Sequence, residues 1–181
     1  PEGRDREAYL VTRQLKEDAI FRRLISAKGN APNTLTVGLI APGGVGKSSL
    51  LQNLAYRLAE RFIDPATNSA AEGDYAPSAL PVYVRLRAYT GSIKKLIESS
   101  MAEAINHAAD AVRTSACASP ITSVPIVVLI DGVDEVPPAQ DIKELQGQLD
   151  ALRRGSLNYK VSAMVVASRP ESARQLGERY F

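Results

Sequence analysis

Five aliphatic residues in a row, Ile126-Val127-Val128-Leu129-Ile130, constrain the fold of this chain more than any other feature. A strand turns successive side chains to opposite faces, so this run is apolar on both and needs cover on both. Val161 to Ala167 has the same character. Thr36 to Ala41 is a shorter apolar run that ends in a glycine-rich turn. In contrast, Val82, Val84 and Leu86 alternate with Tyr83, Arg85 and Arg87, the pattern of a strand with one solvated face at or near a sheet edge.

Helical periodicity fills the spaces between. Leu51, Leu54, Leu58 and Phe62 share one face of a helix that starts near Lys47. Ile93, Leu96, Ile97, Met101, Ala104, Ile105 and Ala108 give the clearest amphipathic helix, and Ile142, Leu145, Leu149 and Leu152 the next. Glu171 to Phe181 begins a last one, and Arg4 to Lys28 reads as a charged helix stopped by Gly29-Asn30 and Pro32. Residues 63–80 and 113–124 read as irregular. The order is a helix, then strand and helix alternating four times. That order predicts an α/β fold, a parallel sheet with helices on both faces and all strand carboxyl ends on one rim. The expected division is an N-terminal helix and linker over 1–33 and a single core over 34–181.

Composition agrees with one water-facing domain: 181 residues, 45% hydrophobic and 23% charged. A net charge of +2, from 22 basic and 20 acidic residues, argues against a dedicated polyanion binder, so nucleic acid is not an expected partner. One cysteine, Cys117, excludes an internal disulfide framework and fits a reducing, cytoplasmic setting. The longest apolar run, Pro125 to Ile130, is too short to span a bilayer. No signal-peptide pattern opens the chain, and its first residue, Pro1, reads as the start of a piece of something longer.

Three clusters carry chemistry, each expected at that rim. The first is Ala41-Pro42-Gly43-Gly44-Val45-Gly46-Lys47-Ser48, followed by Ser49. Backbone N–H groups can wrap a triphosphate only where side chains do not intrude, and three glycines supply that access. The following helix aims its positive end at the same place. Lys47 would reach the β- and γ-phosphates, and Ser48 would ligate Mg²⁺. Ala41 stands where the stricter pattern has glycine.

The second cluster is Asp131-Gly132-Val133-Asp134-Glu135, at the end of the buried strand. Asp131 is placed to reach a nucleotide-bound Mg²⁺, and Asp134 or Glu135 to orient or deprotonate an attacking water. Spacing does not choose between those two, and both also suit the start of a helix. The third cluster is Ser168-Arg169-Pro170, after the last strand. If that strand lies beside strand one, Ser168 and Arg169 face the γ-phosphate, and Arg169 can distinguish triphosphate from diphosphate. His107 and Cys117 receive no role.

Together the three clusters resemble the NACHT family of signal-transduction P-loop ATPases, in the STAND class. Ala41–Ser48 matches the family's Walker A segment, Leu129–Glu135 its Walker B with a small residue and displaced acids, and Ser168-Arg169-Pro170 its sensor 1. Pro81–Arg87 is similar to its second strand. The likeness spans about residues 35 to 170. It implies a strand order of 5-1-4-3-2, with the fifth strand absent because the chain stops at Phe181. It also implies ATP or ADP as ligand, GTP as an alternative, Mg²⁺, and slow hydrolysis as a nucleotide-gated switch in immune, cell-death or transcriptional signalling. Effector and sensor domains elsewhere in a longer chain, and nucleotide-dependent homo-oligomers, are the partners it implies. An AAA+-like motor or loader on nucleic acid is the alternative, for which the basic first helix is the only hint. A module that binds nucleotide without hydrolysing it is another. No Asn-Lys-x-Asp motif for reading guanine and no Leu-Ser-Gly-Gly-Gln signature is present.

Overall fold

The computed structural model describes residues 16–27, 34–63, 79–112, 124–136, 142–155 and 157–177; of residues 104–112 only the helical backbone is described. A helix over 16–25 (α1) comes first. Then follow β1 (Leu35–Ile40), α2 (Lys47–Ile63), β2 (Leu80–Arg85), α3 (Ile93–Val112), β3 (Pro125–Asp131), α4 (Ile142–Arg153), β4 (Lys160–Ser168) and α5 (Pro170–Leu176). The four strands form one sheet in the order β1-β4-β3-β2, and every pairing is parallel. These four stand in the relative order that the resemblance implied. The alternating strand, β2, is at one edge.

Both faces of the sheet are covered, as the five-residue aliphatic run requires. Val127 and Leu129 of β3, with Ala163, Val165 and Ala167 of β4, pack against Leu24 and Ile25 of α1 and Leu51, Leu54 and Leu58 of α2. The alternate residues Ile126, Val128 and Ile130, with Met164 and Val166, face Ile93, Ile97, Leu145, Leu149, Leu152 and Leu176 from α3, α4 and α5. Each such leucine or isoleucine contributes about 1.5–3 kcal/mol when fully removed from water. The alternation breaks once. Ile126 pairs with Val161 but Val127 pairs with Ala163, so Ser162 is the extra residue of a bulge. Its buried hydroxyl donates to the Ile126 carbonyl at 3.0 Å, satisfying an acceptor the ladder leaves behind.

Several element ends differ from the sequence expectation. The strand with alternating residues ends at Arg85, and Leu86–Ala88 forms a 3-10 turn that buries Leu86. The first helix stops at residue 25 rather than at Lys28, with the Ser26 hydroxyl donating back to the Arg22 carbonyl at 2.7 Å. The last helix ends at Leu176 rather than continuing toward Phe181, because Gly177 takes φ 100° and leaves the helical path. The start of the Arg4–Lys28 segment, the Gly29–Pro32 stop, Cys117 and most of 63–80 and 113–124 lie outside the described residues.

The chain leaves β1 through α2 on one face and leaves β4 through α5 on the other. Because β1 and β4 are neighbours, their exits diverge at the carboxyl rim and open a crevice there, the usual ligand position in such sheets. All three chemical clusters stand at this rim.

Candidate functional site

The glycine-rich turn connects β1 to α2. Ile40 is in register with Ser168 of β4, and the Ala41 N–H donates to the Ser168 carbonyl at 3.3 Å, so the turn departs from a fixed strand end. Gly44 and Gly46 take φ 78° and 85°, backbone that side chains with a Cβ adopt at a cost. Left-handed residues at alternate positions turn successive N–H groups toward one concavity. Helix α2 then begins at Lys47, and its 17 residues aim a full helix dipole at the turn. The Lys47 ammonium lies back along the turn, donating to the Ala41 carbonyl at 2.6 Å and the Pro42 carbonyl at 2.8 Å. A cation is thus held at the start of the turn. Pro42, Val45 and Ser49 are exposed around it.

β3 brings the second cluster to the same place. Asp131 follows Val127 and Leu129 in alternation, so its side chain emerges on the α2 face. There its Oδ1 accepts from the Ser48 hydroxyl at 3.1 Å, joining residues 83 positions apart. Oδ2 of the same carboxylate accepts from the Tyr83 hydroxyl of β2 at 2.6 Å. Burial and the bond to Asp131 push the Tyr83 phenol up to about 12, with Arg85 opposing. Tyr83 is therefore the neutral donor across the physiological range, and Asp131 accepts at both oxygens.

Beyond Asp131 the chain reverses at Gly132, which is left-handed at φ 76° and ψ 57° and starts the 3-10 turn Val133–Glu135. The Glu135 N–H donates to the Gly132 carbonyl at 2.8 Å, and the exposed Glu135 side chain folds over the same glycine. A Cβ at Gly132 would stand 3.0 Å from Glu135 Cδ, so the absence of a side chain is what admits the fold-back. Asp134 points elsewhere. Its Oδ2 accepts from Arg169 Nε at 2.7 Å. The guanidinium of Arg169 also lies along the glycine-rich turn, where a Cβ on Gly43 would come within 3.4 Å of its Cζ.

The expected residues thus gather at one rim, with one departure. Ser168 is fully buried, and its hydroxyl donates to the Arg169 carbonyl at 3.0 Å; it braces the strand end instead of facing the crevice. Tyr83 was not expected. Alternation puts it with Arg85 and Arg87 on a solvated face, yet it is half-buried under the α2 side of the sheet, and Arg85 lies 5.5 Å over its ring. Only a phenol in an otherwise basic edge strand hinted at it.

The chain matches no known family model and no curated protein.

The donor set suits a hard cation shared with a ligand. Ser48 Oγ and Asp131 Oδ1 are adjacent oxygens at the mouth of the concavity. Among the described residues no group of three or more His, Cys, Asp or Glu side chains could hold a metal alone. The Ser48 and Asp131 oxygens fit Mg²⁺, which keeps its waters and takes one or two protein oxygens plus substrate phosphates. Among the described residues no helix is long and apolar enough to cross a membrane.

Proposed function

We propose that this chain binds a nucleoside triphosphate with Mg²⁺ at the carboxyl rim of a P-loop NTPase core. In this reading it hydrolyses the triphosphate slowly, as the switch of a larger signalling protein of the NACHT type. The observation that carries the reading is the Ser48–Asp131 contact at 3.1 Å, beside a left-handed glycine turn and a helix start. A phosphate chain in the turn would accept from backbone N–H groups of residues 43–48. The Lys47 ammonium would neutralise charge on it, and Ser48 and Asp131 would hold the metal, which would supply Lewis acidity.

Hydrolysis breaks the bond between the γ-phosphorus and its bridging oxygen, which leaves on the diphosphate, while a water oxygen takes its place. Glu135 is the better candidate to accept the water proton, because it is exposed at the rim and carries no ion pair among the described contacts. Asp134 instead orients Arg169 beside the turn. ATP is the expected base form, with GTP as the alternative. The reading also takes a cytoplasmic setting, effector and sensor domains as partners, and nucleotide-dependent self-association.

Phosphate release from ATP tests it. Glu135→Gln is expected to lower the single-turnover rate by about 10²–10⁴-fold, the range for a general base, with nucleotide affinity preserved. One observation favours a second reading, a module that binds nucleotide without turning it over. Both displaced acids already have intramolecular positions, Asp134 on Arg169 and Glu135 over Gly132. Under that reading Glu135→Gln leaves phosphate release unchanged.

A further inference from the structure

Tyr83 lies outside the three motif clusters, yet its hydroxyl reaches Asp131 at the rim. Its strand lies at the sheet edge, paired in register so that Tyr83 is beside Leu129 and Arg85 beside Asp131. Parallel neighbours in register put side chains on the same face, so Tyr83 and Asp131, two residues apart along that face, emerge together on the α2 side. The phenol oxygen then stands 2.6 Å from Asp131 Oδ2, the short distance of a charge-assisted bond. The other carboxylate oxygen faces Ser48 at 3.1 Å. A carboxylate free to rotate about its Cβ–Cγ bond would present either oxygen, or neither, to a cation. One held at Oδ2 presents Oδ1.

We propose that Tyr83 is a positioning residue for the cation site, fixing the Asp131 carboxylate so that Oδ1 remains beside Ser48. The proposal rests on the Mg²⁺–triphosphate reading of this rim. Tyr83 touches neither cation nor phosphate; it acts through Asp131. Outer partners of metal ligands typically carry 10–100-fold in metal affinity or activity, because they hold the ligand in its binding orientation. The competing role is mechanical: the phenol ties the edge strand β2 to β3 and matters for stability alone.

The two roles separate in Mg²⁺ dependence. Fluorescent mant-ATP is titrated into the parent, Tyr83→Phe and Asp131→Ala proteins, once in EDTA and once at a series of Mg²⁺ concentrations. Tyr83→Phe is expected to leave mant-ATP affinity in EDTA within about twofold and to raise the half-saturating Mg²⁺ concentration about tenfold. An unchanged Mg²⁺ midpoint in Tyr83→Phe, with Mg²⁺ dependence lost in Asp131→Ala, overturns the role of Tyr83 and leaves the site reading standing. Equal weakening with and without Mg²⁺ also overturns it, in favour of the mechanical role. If the parent shows no mant-ATP binding, or Asp131→Ala keeps the parent's Mg²⁺ dependence, the site reading itself falls and takes this proposal with it. Should Tyr83→Phe melt well below the parent, Tyr83→Met is measured instead, since an unbranched side chain fills the space without a donor.

Discussion

Arg169 and Asp134 meet at 2.7 Å, joining the turn after β4 to the turn after β3 and laying a guanidinium along Gly43. The two ends of this pair are unequally exposed: the Arg169 side chain at 54% and Asp134 at 13%. The acid is the half-buried partner and the arginine the one that can be drawn away. A γ-phosphate in the glycine turn would compete with Asp134 for the same guanidinium. Arg169→Ala is therefore expected to reduce the preference for ATP over ADP by about 10–100-fold, the effect of one charge-assisted bond of roughly 1.5–3 kcal/mol. Calorimetric titration with each nucleotide measures it, and an unaltered ATP/ADP ratio would remove Arg169 from γ-phosphate recognition.

Lys47 holds its ammonium on the carbonyls of Ala41 and Pro42 at the start of the turn. Replacing it removes a charged donor from the turn while leaving the backbone N–H groups in place. Lys47→Ala is expected to weaken ATP about 10–100-fold, corresponding to roughly 1.5–3 kcal/mol for hydrogen bonds to charged groups. Direct binding measurements with matched melting curves check this. Affinity equal to the parent's would count against the entire rim as a triphosphate site.

Gly132 combines a left-handed backbone with a Glu135 side chain folded over it. An alanine there meets both difficulties, and Gly132→Ala should lower unfolding free energy by about 1–2 kcal/mol from the left-handed conformation alone. Asparagine tolerates that region better, so Gly132→Asn should cost less at the backbone while still displacing Glu135. Urea unfolding of the two variants separates these contributions. Equal stability of the alanine variant and the parent would mean the turn relaxes freely.

Tyr159 lies on the opposite side of the molecule from the rim and donates to Glu98 at 3.3 Å. Burial, then the Glu98 charge, pushes its phenol up to about 12 from the ordinary 10.0. With the folded value above the unfolded one, the neutral phenol's contribution is fully present below pH 10 and is lost between pH 10 and 12. The stability difference between parent and Tyr159→Phe should shrink across that window. Denaturant midpoints at several alkaline pH values test it, and a difference constant with pH would contradict it.

Much of the fold is legible in the chain because strands and helices reveal themselves through local periodicity. The Ile126–Ile130 run demanded two covered faces and has them. Alternation in Val82 and Val84 marked β2 as a strand at or near an edge, and it stands at one. Element ends were less legible. Leu86 continues the alternation in sequence, yet the chain turns there to bury it. The end of α5 depends on the positive φ of Gly177, a conformation that periodicity does not report.

What the sequence by itself determined is the kind of each element and the chemistry at its end. A glycine-rich turn before a helix, an acid after a buried strand and an arginine before a proline are local facts, written by neighbouring residues. What only the tertiary structure decided is which of these ends meet. Strand order and register bring Asp131 to Ser48 and Tyr83, and Arg169 to Asp134, while they turn Ser168 into the interior. Those contacts join residues tens of positions apart, and pairing between strands rather than any local preference sets them.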